Sequence, residues 1–185
     1  MWLISRMDDD IMEVAKMAVK IKPQIEDFAK DLLDEDKLKN VVCFNEFLIE
    51  NNLSAEKTSK YFWSVMYKGT RICTIAFHGR ILSNNCWWIR FFGRYHGSGE
   101  LLNLCEKYLS KELKDLILDN IVAEPPCKNC KSFESIMIFG KMFDRVCWCT
   151  PFRFINPDRK SLEYAKEIVL ANKNAVTDIK AGNIK

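Results

Sequence analysis

Apolar positions recur at helical spacing from the start of the chain, at Ile11, Val14, Ala15, Ala18 and Ile21. Asp8, Asp9 and Asp10 stand just before them, where carboxylates favour the partial positive charge of a helix N-terminus. Pro23 ends that run and suits the first turn of a second helix, with Ile25, Phe28, Ala29 and Leu32 on its apolar face. The stretch from Asp34 to Asn40 is polar. Val41 to Phe44 and Phe47 to Ile49 then predict a short third helix ending at Asn51 and Asn52, with Ser54 placed to cap one further turn.

At Tyr61 aromatic and β-branched residues take over and alternation replaces the helical period. YFWSVMYKGTRICTIAFHG reads as a hairpin turning at Lys68 and Gly69, with Tyr61, Trp63, Val65 and Tyr67 sharing one face. The partner strand puts Arg71, Cys73, Ile75 and Phe77 on one face. Cys86 to Phe92 predicts a third strand, with Trp87, Ile89 and Phe91 opposed to Trp88, Arg90 and Phe92. Ser98 is an N-cap for one long amphipathic helix, whose stripe runs through Leu101, Cys105, Leu109, Leu113 and Ile117 and is expected to cross the sheet. Ser135 to Phe139 and Arg145 to Thr150 read as two more strands joined through Gly140. Asn156, Pro157 and Asp158 announce a last helix as cap, first position and following carboxylate, with Leu162, Ala165, Ile168 and Val169 buried.

These elements predict an α+β domain: N-terminal helices, an antiparallel sheet of about five strands, a long helix packed on it and a C-terminal helix. Its segments are a helical part (8–60), a β-meander plus helix (61–119), a cysteine-rich lobe (125–151), the final helix (157–172) and a frayed tail (173–185). A chain of 185 residues buries one sizeable core and is short for two. Charged residues at 29% and hydrophobic ones at 48% are ordinary globular composition. A net charge of +3 gives no argument for nucleic acid, which needs a concentrated basic face. No apolar run reaches the roughly eighteen residues of a membrane span. MWLISRM meets three aspartates at once and lacks the longer apolar centre of a secretory signal. Eight cysteines in such a chain point to a reducing cytoplasm, and Met7 is an alternative start.

Four of those cysteines form two tight pairs, Cys127 with Cys130 and Cys147 with Cys149, sixteen residues apart. Four thiolates converging at about 2.3 Å make a closed structural zinc site, normally supplied as two short-spaced pairs. The first pair fits a turn through Asn129; the second needs a bend at Trp148, because Cβ atoms at i and i+2 of a strand stand far apart. Two other readings stay open. Cysteine is often simply buried, and Cys127 and Cys130 have the spacing of a redox pair without its strand-then-helix context.

Trp63, Trp87 and Trp88, with Arg90 and His78 nearby in sequence, are a candidate aromatic wall for a flat or anionic small molecule. The competing reading is a sheet with its aromatics in the core and its arginines in water. His78 and His96 are the only histidines, each where a strand meets a loop. No phosphate-binding glycine loop, nucleophile elbow or metalloprotease helix occurs. Glu112, Asp115 and Asp144 are spread over helix faces and turns without forming an acid and base pair.

Through WSVMYKGTRICTIAFHG and WWIRFF the chain resembles small cytoplasmic bacterial proteins of unassigned function, in which a helical N-terminus precedes an antiparallel sheet. The resemblance spans residues 61–118, transfers no functional residue, and implies a bacterial, non-enzymatic protein. The expected function is a binding or interaction module, with a small molecule or a protein as partner, stabilised by zinc on Cys127, Cys130, Cys147 and Cys149. The alternatives are a small-molecule sensor using the aromatic wall and a thiol redox enzyme using Cys127 and Cys130.

Overall fold

The structure is a computed structural model that describes residues 24–77, 85–91, 98–121, 134–146 and 152–182. The helix expected at Ile11 to Ile21, the four paired cysteines and both histidines lie outside these residues. The architecture is α+β, as expected: a five-stranded antiparallel sheet, a separate two-stranded one, and helices ending in a long C-terminal one. Among the described residues no helix is long and apolar enough to cross a membrane.

Helix α1 (Ile25–Lys30) buries Ile25 and Ala29, and its Phe28 ring meets Trp63 at 4.9 Å and Phe77 at 5.6 Å. Helix α2 (Glu35–Glu50) begins six residues before the expected apolar run, because Asp34 accepts from the Lys37 N–H at 3.0 Å. Its first two turns carry a single apolar residue, the half-buried Leu38, so hydrophobic spacing does not reveal them. It ends where expected. Asn52 takes φ +55°, its N–H bonds Ile49 O, and the Leu53 N–H bonds Leu48 O at 2.9 Å, a closed C-terminal turn with both leucines buried.

Ser54 caps nothing; it opens strand β1 (Ser54–Ser59), which is nearly all exposed and is a strand because β2 (Phe62–Tyr67) pairs with it. The expected hairpin of β2 and β3 (Thr70–Phe77) forms, with Lys68 at φ +47° and Gly69 at φ +78° in the turn. Strand β4 (Trp87–Phe91) follows β3, and the last place is taken by β7 (Phe152–Ile155), giving the order β1-β2-β3-β4-β7. The two strands expected around Gly140 are β5 (Glu134–Ile138) and β6 (Lys141–Val146), which pair only with each other among the described residues. The second of them therefore starts immediately after the turn, not at Arg145.

The single helix expected after Ser98 is two, α3 (Ser98–Cys105) and α4 (Lys111–Asn120), with a 3-10 turn at Glu106–Tyr108 between them. The break lies at Ser110, whose hydroxyl accepts from the Leu113 N–H and whose own N–H is taken by Glu167 Oε1 at 2.8 Å. The apolar stripe continues across the break, which hides it from periodicity. Helix α5 (Arg159–Lys180) runs eight residues beyond the expected end, since Ala175 and Val176 are buried. Asp158, not Asn156, is its cap, accepting from Ser161 N at 2.7 Å. It is α5 that packs on β3, as well as on α2 and α3.

The sheet face carrying Trp63, Val65, Cys73, Ile75, Phe77, Trp87, Ile89 and Phe91 forms one core with the helices. The β5–β6 hairpin joins that core through Ile136, Ile138 and Val146. Asn103 of α3 holds it, donating to Met137 O at 3.0 Å and accepting from the Phe139 N–H at 3.1 Å.

Candidate functional site: a cleft between an edge strand and an acidic helix face

A cleft of about 570 Å³ opens where the last strand of the sheet, one face of α4 and the first turns of α5 meet. That volume lies within the range of ligand-binding clefts. On α4 the lining residues are Glu112, Asp115, Leu116 and Asp119, the i, i+3, i+4, i+7 positions of one helix face. Leu113 and Ile117 sit on the other face, buried in the core, and so fix which side of α4 looks out. Phe152, Arg153 and Phe154 of β7 form the opposite wall. Phe152 and Phe154 pack edge-on at 5.0 Å and anchor to Phe91.

Asp158, Lys160, Ser161 and Tyr164 of α5 close the end of the cleft. The Tyr164 hydroxyl donates to Glu112, and Lys160 Nζ lies 3.5 Å from the same carboxylate. Those two contacts, the Tyr164 hydrogen bond foremost, hold the Glu112 carboxyl below the ordinary carboxylate range. Asp158 is lowered too, by the backbone N–H of Ser161. Among the described residues neither Asp115 nor Asp119 has a cation paired with it. Four carboxylates against Arg153 and Lys160 leave a formal charge of −2 on the lining. Groups held ionised in this way are suited to attracting cations; a general acid would need a raised pKa.

The candidate aromatic positions are divided by the sheet. Trp63 and Trp87 are fully buried on the helix-covered face, Trp63 edge-on to Phe77 at 5.3 Å. Trp88 and Arg90 face the other way, the guanidinium 5.3 Å above the indole and Phe62 at 5.7 Å. Thus no single wall carries all three tryptophans. His78 lies outside the described residues, as do Cys127, Cys130, Cys147 and Cys149. Of the described cysteines, Cys73 and Cys105 are buried and their thiols are pushed up by desolvation, Cys105 to about 12. Cys43 is half-buried, 3.5 Å from Lys166 Nζ. Among the described residues no group of three or more His, Cys, Asp or Glu side chains could hold a metal ion.

Half of the cleft is legible in the sequence. Glu112, Asp115 and Asp119 stand at helical spacing, so their common face follows from position alone. Asp144 does not join them; it accepts from Ser135 Oγ at 2.8 Å on the separate hairpin. What faces α4 carries no such mark, because β7 is four residues long and its Phe-Arg-Phe alternation is too short to reveal a strand. The chain matches no protein-family model, no curated protein and no solved structure.

Proposed function

We propose that this protein is a binding module whose recognition surface is the cleft between α4, β7 and the start of α5, and whose partner there is cationic. The observation that carries the reading is the exposed carboxylate face Glu112, Asp115 and Asp119 set against a strand edge with an apolar floor. Glu112 and Asp158 are kept ionised by their own neighbours, which favours charge recognition over proton transfer. As a separate part of the proposal, Cys127, Cys130, Cys147 and Cys149 hold a structural zinc ion, on the support of their paired spacing alone. Four thiolates leave no open position, so such a metal stabilises the fold and does no chemistry.

The two parts are tested apart. Titrating acetylated hexalysine amide into labelled protein should move the backbone amides of α4 and β7. Asp115→Asn with Asp119→Asn should weaken the interaction roughly tenfold, as loss of two exposed charge partners predicts. Unmoved amides at saturating probe would dispose of the cleft as a cation-recognition surface. For the metal, elemental analysis should find about one zinc per chain, with four thiols that react only after a chelator is added. Absence of metal together with four freely titrating thiols rejects that part and leaves the cleft reading standing.

A further inference from the structure

From the geometry at one end of the cleft we infer that Lys160 is the resident occupant of an ammonium subsite made by the Glu112 carboxylate and the Tyr164 ring, and that a cationic partner enters the subsite by displacing it. This inference rests on the cleft being a recognition surface and names the device that regulates it. Lys160 Nζ lies 3.5 Å from Glu112 Oε1 and 5.3 Å from the centroid of the Tyr164 ring. A carboxylate beside an aromatic face holds an alkylammonium ion by charge and by the ring quadrupole together. The Tyr164 hydroxyl donates to that same Glu112 oxygen, a contact between α5 and α4 in which Lys160 takes no part. Ring and carboxylate are therefore set against each other by the helices, and the lysine is an addition to them.

Lys160 stands where the helix gains nothing from a positive charge. It is the second residue of α5, after Arg159, and no acidic residue lies in that first turn. A cation there opposes the partial positive charge of the helix N-terminus, which carboxylates favour. The cap at Asp158 acts through the Ser161 N–H and uses no lysine side chain. The ion pair does not bolt α4 to α5 either: the Lys160 side chain is 74% exposed and that of Glu112 69%, and ion pairs so open to water contribute little to stability. What remains is an ammonium held loosely in a cation-recognising cleft, the arrangement of an internal competitor.

The rest of the acidic face has no such occupant. Asp115 and Asp119 follow Glu112 at i+3 and i+7 on the same side of α4, and among the described residues neither is paired with a cation. Seven residues of helix rise about 10 Å, so Glu112 and Asp119 mark the two ends of the face. An arriving polycation meets Asp115 and Asp119 directly and reaches Glu112 only once Lys160 turns out into solvent. The part of the population in which Lys160 stays in place lacks the third contact, so the parent chain binds a few-fold more weakly than one with the subsite empty.

The test measures the affinity of acetylated hexalysine amide for the parent chain, for Lys160→Met, for Glu112→Gln and for the two substitutions combined, with urea unfolding of each. Lys160→Met should bind about threefold more tightly, without a lower unfolding midpoint, since it takes a cation from a helix N-terminus. In the parent, Glu112→Gln removes a contact to the partner and the competitor's anchor at once, so binding should change by less than about 1.5-fold. In the Lys160→Met chain the same substitution removes the contact alone and should weaken binding about threefold. Charges acting only at a distance would add their effects independently, so equal Glu112→Gln penalties in both backgrounds overturn the displacement and leave cation recognition in place. So does a Lys160→Met chain that binds no more tightly than the parent; a lower midpoint with it makes the contact a structural ion pair. If the probe binds neither the parent nor Lys160→Met, the recognition surface is lost and the subsite with it.

Discussion

At Gly69 the backbone sits at φ +78° with open space where a Cβ would go, so only conformation opposes a side chain there. Gly69→Ala should therefore cost about 1 kcal/mol in urea unfolding, the penalty of a left-handed alanine. Its neighbour Lys68 already bears that penalty at φ +47°. Lys68→Asn should raise stability by about 0.5 kcal/mol, since asparagine followed by glycine suits this turn. Thiols provide a second residue-scale test. Cys73 and Cys105 are buried with their thiols pushed up, whereas Cys43 is half-buried beside Lys166. Mass-mapped alkylation at pH 8 should label Cys43 while leaving Cys73 and Cys105 intact until denaturant is added, and early labelling of the latter two would contradict the packing around them.

Elements in this protein are held at their ends by single polar side chains. Asn156, at φ +43°, accepts from the Trp87 N–H at 3.0 Å and donates its own N–H to Trp87 O at 2.8 Å, tying β4 to the turn before α5. Asn156→Ala should cost about 2 kcal/mol, combining a left-handed alanine with a lost hydrogen bond. Ser110→Ala removes the α4 cap and should cost about 1 kcal/mol by the same measurement. Asp34 and Asp158 cap α2 and α5 through backbone N–H groups, and Lys37 and Asn85 also hold Asp34. Both carboxyls are thereby lowered from the ordinary 3.8. A depressed folded-state pKa contributes stability above the unfolded value and loses it as pH falls through the folded one. The acid limb of the stability profile should flatten in Asp34→Asn with Asp158→Asn, and an unchanged limb would show that other carboxylates govern it.

For the molecule as a whole, α5 is the element on which the rest assembles. It touches β3, α2 and α3, and its Asn172 donates to Ile72 O at 3.2 Å from inside the core. Lys107 and Tyr108 both bond Asp178 near its far end, and Lys107 is raised chiefly by that carboxylate. Truncation after Ala171 removes the buried Ala175 and Val176 together with that anchor. Such a chain should lose cooperative unfolding in calorimetry, whereas Val176→Ala alone should cost about 2 kcal/mol. An intact transition in the truncated chain would mean that the last turns of α5 are dispensable.

Local chemistry wrote much of this fold into the chain. Alternation from Tyr61 onward marks the central strands, Lys68 and Gly69 mark their turn, and the stripe through Leu113 and Ile117 marks which face of α4 is buried, leaving Glu112, Asp115 and Asp119 outside. Each of these depends only on residues close in sequence. Other features depend on partners far along the chain. Ser54–Ser59 is a strand because β2 offers it an edge, Phe152–Ile155 because β4 does, and α5 continues to Lys180 because Ala175 and Val176 reach the core. The cleft belongs to this second kind. Helical spacing set its acidic wall, but only the packing of α4 and α5 against the sheet brought that wall opposite a strand edge, since main-chain pairing between distant segments leaves no periodic trace in either one.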